Sequence, residues 1–166
     1  MLFGFIVLAA CSSAPADTHS SIASPAPAFA QNATLLRVID GDTIDVDLSG
    51  HKERVRLIGI DTPETVKPNT PVQCYGPEAS AHTKSLLHKG DPLHLERDAE
   101  ARDTYGRLLA YVYRADNGLF VNLEIITKGY AHVLTIAPNV AHVDEFVAAA
   151  YNAQRANLGL WGSCSG

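Results

Sequence analysis

Residues 34–60 read as three β-strands in succession, cut by two short turns, and that run commits the chain to a sheet. Thr43, Asp45 and Asp47 alternate with Ile44, Val46 and Leu48, a period of two that gives a strand one apolar and one wet face. The breaks fall at Asp40-Gly41-Asp42 and Ser49-Gly50, both turn-forming combinations. Strands are expected at 34–39, 43–48 and 55–60, and residues 93–97 and 107–113 add two more. Three further segments read as helices. Gly76-Pro77-Glu78 opens the first, since proline is tolerated at the first helical position and glutamate suits the positive end; Gly90 stops it. Asn122 is placed to cap a short second helix that ends at Gly129. The third covers about residues 140–157, where Val143, Phe146, Val147, Ala150 and Tyr151 follow helical spacing. Five short strands with a helix inserted before the fourth point to an α+β domain, a five-stranded OB-type β-barrel with three helices.

A chain of 166 residues is long enough for one such domain with a real core. Its formal charge of −5 argues against a polybasic coat protein, yet leaves room for a local basic cluster. Three cysteines are too few for a disulfide-built mini-scaffold, and no C-x-x-C pair suggests a zinc ribbon. Residues 2–10 are apolar and end abruptly at Cys11-Ser12-Ser13. As a helix they would rise roughly 14 Å, about half a bilayer core, which suits the apolar region of a signal peptide. Leu8-Ala9-Ala10-Cys11 also resembles a bacterial lipoprotein box. Residues 1–10 are therefore expected to be a lipoprotein signal peptide, with Cys11 as the lipid attachment point. Residues 11–31 are rich in Ser, Ala and Pro and are expected to be a disordered tether, leaving 32–166 as the folded domain. The expected location is export, with lipid anchoring at the outer face of a bacterial membrane. Secretion after a cut behind Ala28-Phe29-Ala30 is the alternative.

The chemistry sits in three short segments: Asp40-Gly41-Asp42-Thr43, the run from Arg56 through Asp61-Thr62-Pro63-Glu64-Thr65, and Asp103-Thr104-Tyr105-Gly106-Arg107. The first two place Asp42, Asp61 and Glu64 at strand ends, where a barrel could bring them together. Clustered carboxylates resist joint ionisation unless a cation joins them, and an all-oxygen set favours Ca²⁺, Mg²⁺ or Mn²⁺. Arg56 and Arg107 add two cations able to grip a phosphate bidentately. Metal, carboxylate and paired guanidinium are the ingredients of phosphodiester hydrolysis. Taken singly, each motif has a blander reading as a turn, a loop or a surface ion pair; order and spacing favour the site. Asp45, Asp47 and Glu53 are expected to be solvated strand charges.

In that order and spacing the segments resemble the staphylococcal nuclease-like (thermonuclease) family, over about residues 34–161. Tyr75-Gly76-Pro77-Glu78-Ala79-Ser80-Ala81 and Tyr105-Gly106-Arg107-Leu108-Leu109-Ala110-Tyr111 belong to the match. The resemblance implies a five-stranded OB barrel with three helices, in agreement with the pattern reading. It implies calcium held by the carboxylates of Asp42 and Asp61 and the backbone carbonyl of Thr62, with Asp40 as an outer acidic neighbour. Glu64 would act on the attacking water as general base or orienting group. Arg56 and Arg107 would hold the scissile phosphate and stabilise its transition state, and Tyr105 would contact the phosphate beside Arg107. The implied reaction is calcium-dependent endonucleolytic cleavage of DNA or RNA at the 5′ P–O bond, leaving 3′-phosphates. A non-catalytic OB-fold surface lipoprotein that binds nucleic acid is the alternative.

The chain departs from the family at three places. Thr104 stands where the family enzyme has a lysine, and Leu134 and Ile136 align with two tyrosines of its nucleotide pocket. The loop 66–73 keeps Lys67 but is less basic. The implied consequence is weaker substrate binding around an intact catalytic set. Among the histidines no H-E-x-x-H pair suggests zinc, and His82, His88 and His142 are expected at the surface. The expected partners are a DNA or RNA substrate and a membrane through the lipid anchor, with no obligate protein partner evident. With Cys11 lipidated outside the cytosol, Cys74 and Cys164 remain and are expected to form a disulfide.

Overall fold

Alternating apolar residues on consecutive strands become the wall of a closed barrel. The computed structural model describes residues 29–65 and 70–164. Its strands β1 (Ala33–Asp40), β2 (Thr43–Leu48) and β3 (His51–Leu57) form an antiparallel meander. A short β4 (Gly59–Asp61) follows, then helix α1 (Gly76–Leu86), β5 (Pro92–Glu96) and β6 (Leu108–Arg114). The barrel order is β1-β2-β3-β6-β5, closed by antiparallel pairing of β5 with β1, and only the β3–β6 seam is parallel. Helix α2 (Val121–Thr127), β7 (His132–Leu134), α3 (Val143–Arg155) and a single turn, α4 (Leu160–Ser163), complete the chain. This is the five-stranded barrel with three helices of the OB architecture, joined by a two-stranded β4–β7 ribbon and the extra turn α4 that periodicity did not announce.

The core follows from the period of two. Leu35, Ile44, Val46, Val55, Leu57 and Val112 point into the barrel and are no more than 1% exposed. Each buried aliphatic side chain of this size stabilises the fold by about 1.5–3 kcal/mol relative to exposure. Ile125, Ile126 and Phe146 bring α2 and α3 onto the same core.

Five local expectations are corrected. The strand expected at 55–60 breaks at Ile58, because Gly59 takes φ +80° and a Cβ there would run into the ring of Phe146. Helix α1 ends at Leu86, before Gly90, and α3 starts at Val143, later than 140. Asn122 is no cap: Phe120 holds that position, and Asn122 is buried inside α2. Its Oδ1 accepts from the Val112 amide at 2.9 Å and its Nδ2 donates to the Ile58 carbonyl at 2.9 Å, tying helix to barrel. Finally, His82 and His142 are half-buried, stacked on Tyr130 at 4.0 Å and set edge-on to Tyr111 at 4.5 Å; His88 is exposed as expected.

Asp45 is the largest departure, because it is not solvated. It faces outward from β2, yet it is wholly covered by Arg37, Lys52 and Arg54, at 2.9, 3.1 and 2.8 Å. The register places Arg37 and Arg54 directly opposite it on the two flanking strands. Burial would raise its carboxyl, but hydrogen bonds from Arg54, Arg37 and Lys52 together hold it well below the usual carboxylate range. Glu53 is likewise bridged, by two bonds from Arg102.

Cys74, just before α1, and Cys164, just after α4, are joined with a Sγ–Sγ distance of 2.02 Å. The signal region with Cys11, most of the tether and Lys67 lie outside the described residues. Among the described residues no helix is long and apolar enough to cross a membrane.

Candidate active site

The β1–β2 turn and the segment after β4 meet at one end of the barrel. Gly41 makes that contact, since a Cβ there would lie 2.7 Å from the Thr62 side chain. Asp42, one residue on, accepts through Oδ2 from the Thr62 amide at 3.0 Å and the Thr62 hydroxyl at 3.1 Å. Its Oδ1 accepts from the Thr43 hydroxyl at 2.9 Å. Asp40 performs a similar service one turn away. Its carboxylate accepts from the Gly41 amide at 2.9 Å and the Thr65 hydroxyl at 2.7 Å, which pins the loop carrying Glu64. Burial raises the Asp40 carboxyl, with Asp42's charge adding to it and the bonds from Thr65 and Gly41 opposing.

Arg56 enters from the end of β3. Its Nη1 donates to the carbonyls of Leu57 at 2.8 Å and Ile60 at 2.7 Å, which fixes the guanidinium plane. Nη2 then lies 2.9 Å from Asp61 Oδ1 and 3.1 Å from Asp42 Oδ2. Partial burial raises Asp61 against the pull of Arg56, with Asp42 reinforcing the rise.

The 103–107 turn brings the second arginine. Arg107 Nε donates to Asp103 Oδ2 at 2.6 Å, and its amide donates to Asp103 Oδ1 at 2.9 Å. The guanidinium sits 5.5 Å from the centre of the Tyr105 ring, which is 84% exposed. Glu64 is set by its backbone. Its amide donates to Gln73 Oε1 at 2.8 Å and its carbonyl accepts from the Gln73 amide at 3.0 Å.

A single cleft of about 590 Å³ collects Asp40, Asp42, Arg56, Asp61, Thr62, Glu64, Tyr105 and Arg107, together with Thr43, Arg54, Thr70 and Gln73. Every catalytic, metal and substrate residue expected from sequence therefore lines the same space. Beside it opens a smaller hollow of about 280 Å³, which shares Arg56, Tyr105 and Arg107 and is walled by Thr104, Leu134 and Ile136. Sequence reasoning gave no role to Gln73, Asp103 or Thr65, which orient Glu64, Arg107 and the Glu64 loop. Asp103 carried a signal, lying four residues before Arg107 in a tight turn; Gln73 carried none.

The donor chemistry fits a hard divalent cation. Two carboxylate oxygens, from Asp42 and Asp61, converge on one Arg56 nitrogen, so they already share a locus, and the neighbouring ligand atoms are oxygen. Among the described residues no group of three His, Cys, Asp or Glu side chains gathers as a metal cluster, so a cation here would need ligands beyond the two carboxylates.

Comparisons with known proteins identify the family. The family described as "Staphylococcal nuclease homologue" matches residues 54–163. The thermonuclease of Staphylococcus intermedius is 48% identical over 125 residues, covering 75% of this chain and 73% of its own. That of Staphylococcus hyicus is 43% identical over 131 residues, covering 79% and 76%. Endonuclease YncB of Bacillus subtilis (strain 168) is 45% identical over 132 residues, covering 78% of this chain and 61% of its own. With the family match extending over most of the folded domain and relatives well above the threshold of chance, the chain belongs to the staphylococcal nuclease homologue family.

Proposed function

We propose that this chain is a calcium-dependent endonuclease that cuts DNA or RNA at the 5′ P–O bond and leaves 3′-phosphates. Membership of the family, with relatives named thermonuclease and endonuclease, makes it a nuclease, a hydrolase of phosphodiester bonds. The cation, the bond cut and the residue roles are our reading. The observation that carries it is the Arg56 guanidinium, clamped by two backbone carbonyls with Nη2 between Asp42 and Asp61.

In this reading Asp42, Asp61 and the Thr62 carbonyl hold the calcium ion. When bound, the ion supplies positive charge beside the phosphate and the attacking water. Arg107 through its Nη groups, and Arg56 through Nε and Nη2, the nitrogens not held by the Leu57 and Ile60 carbonyls, grip non-bridging phosphate oxygens and stabilise the charge that grows on them in the transition state; at Nη2 the phosphate takes the place of a carboxylate partner. Among the described residues, the Nη groups of Arg107 make no hydrogen bond, which leaves them for this task. The Glu64 carboxylate takes the proton of the attacking water or orients it, and Tyr105 contacts the phosphate beside Arg107.

Irregular oxygen ligands on two loops suit calcium, because magnesium demands near-octahedral geometry and gives up water reluctantly. Cleavage of single-stranded DNA and RNA, measured in calcium, magnesium and excess chelator, tests the assignment. Activity in calcium that chelator abolishes is expected. Equal or better turnover in magnesium overturns the calcium assignment, and binding without cleavage in every metal makes the chain a binding module.

We further propose export with Cys11 lipidated, which would hold the domain at the outer face of a bacterial membrane. The Cys74–Cys164 bond supports an oxidising compartment. Cys11→Ser should release or misprocess the protein, whereas a wild-type mature chain starting at Gln31 without lipid establishes secretion instead.

A further inference from the structure

Strand β3 carries its cations in a row. Lys52, Arg54 and Arg56 alternate with Glu53, Val55 and Leu57; the last two are buried in the barrel, so the three cations share the outer face. Successive members are separated by about 6.6 Å of strand, close to the length of one nucleotide. Side-chain exposure climbs along the row, from 12% for Arg56 in the cleft to 45% for Arg54 and 57% for Lys52. Arg54 lines the catalytic cleft and also a second, open depression of about 400 Å³, whose walls include Lys52, Asp45, Tyr105 and Arg107. Three residues common to both, Arg54, Tyr105 and Arg107, make the two hollows continuous.

The charge of this surface exceeds what ion pairing requires. Asp45 offers a single negative charge to Arg37, Lys52 and Arg54. Of the other carboxylates on these two strands, Asp47 stands opposite Lys52 but accepts from the Gly50 amide and makes no ion pair among the described residues, and Glu53 is bridged by Arg102. Asp45 also meets only Nε and Nη2 of Arg54, and a lysine ammonium has three donors, so both cations retain N–H groups for a ligand. A buried carboxylate that holds several cations side by side presents them to solvent already ordered, which lowers the entropy lost when an anion binds.

We propose that this depression is a subsite for the phosphodiester backbone of the substrate, taking the phosphate next to the scissile one through Arg54 and Lys52. The proposal rests on the nuclease reading and deepens it, because it makes the enzyme favour polynucleotides over single linkages. Lys52, outside the catalytic cleft, is the residue to test. Lys52→Gln leaves Asp45 with Arg37 and Arg54, and thermal unfolding checks that the fold survives; Lys52→Arg keeps the charge.

Steady-state kinetics are measured on a dinucleotide, which has no neighbouring phosphate, and on a long single-stranded oligonucleotide, across a salt series. The expected result for Lys52→Gln is a several-fold rise in KM confined to the oligonucleotide, with recovery in Lys52→Arg. The slope of log(1/KM) against log salt should shrink by about 0.7, the value of one single-strand phosphate contact. A cleaving wild type whose Lys52→Gln variant loses equally on both substrates, or on neither, overturns the subsite alone. A wild type that cleaves neither substrate overturns the nuclease reading and the subsite with it.

Discussion

At Arg56 one side chain joins two backbone carbonyls and two carboxylates, so its shape matters as much as its charge. Arg56→Lys keeps the charge but has no planar fork to reach these partners and a phosphate together. We expect kcat to fall by about 10²-fold or more, the scale for losing a transition-state donor. Glu64→Gln should give a loss of at least about 10²-fold, the usual scale for an acid–base group. Rates are to be compared at matched thermal stability, and full activity in the glutamine variant would reassign Glu64. Asp45 answers to a different measurement. Its carboxyl is held below the ordinary value of 3.8, so its ionised form stabilises the fold above that pH, and the contribution is lost as pH falls through the folded value. Asp45→Asn should therefore be less stable than wild type from neutral pH down to about 4, with the gap narrowing only in stronger acid. A constant gap in urea unfolding at pH 7, 5 and 3 would show that Asp45's charge is not its source.

Helix α2 depends on one polar residue in an apolar interface. Asn122 satisfies the Val112 amide and the Ile58 carbonyl, both against the barrel. Asn122→Ala strands two buried backbone groups and should destabilise the protein by roughly 2–4 kcal/mol, read by chemical denaturation. A loss below about 1 kcal/mol would mean that water replaces the amide. Asn122 also marks where sequence legibility stops. A polar residue before an apolar run reads as a cap, and nothing in the helix pattern reveals that the Val112 amide, ten residues back, and the Ile58 carbonyl, 64 residues back, need its amide. Asp45 misleads for the same reason: its alternation with Ile44 and Val46 is plainly outward, but the cations that cover it come from β1 and β3. The strands themselves were legible because the period of two is a local property. So was the break at 58–59, in part, since a glycine inside a strand pattern signals a bend or a close approach, here to Phe146. The residues that line the cleft were legible through ordered motifs, each on one short segment. Gln73 was not, because its role is to grip the backbone of Glu64 from nine residues away.

The whole molecule links that grip to its C-terminal end. Cys74 follows Gln73 directly, and its bond to Cys164 closes a loop of 90 residues that contains α1, two barrel strands, α2 and α3. The chain-entropy model values such a closure at roughly 4–5 kcal/mol, an upper figure because the open denatured chain keeps some structure. Against a total stability of about 5–15 kcal/mol for an ordinary domain, that is a large share. A hollow of about 520 Å³ shares Asp61, Thr62 and Gln73 with the cleft and is lined as well by Cys74, Trp161 and Cys164. The disulfide thus borders the same space as Asp61, Thr62 and Pro63, the residues that lead into Glu64. Paired Cys74→Ser and Cys164→Ser substitutions should lower the melting temperature by many degrees. They should also lower kcat well below the melting range, because Gln73 then holds Glu64 from a segment with one covalent tether fewer. Melting curves and turnover measured on the same preparations separate the two effects. Lost stability with unchanged kcat would confine the disulfide to the fold. A parallel fall would make it part of what holds Glu64 ready, so that a reducing environment would slow the enzyme before unfolding it.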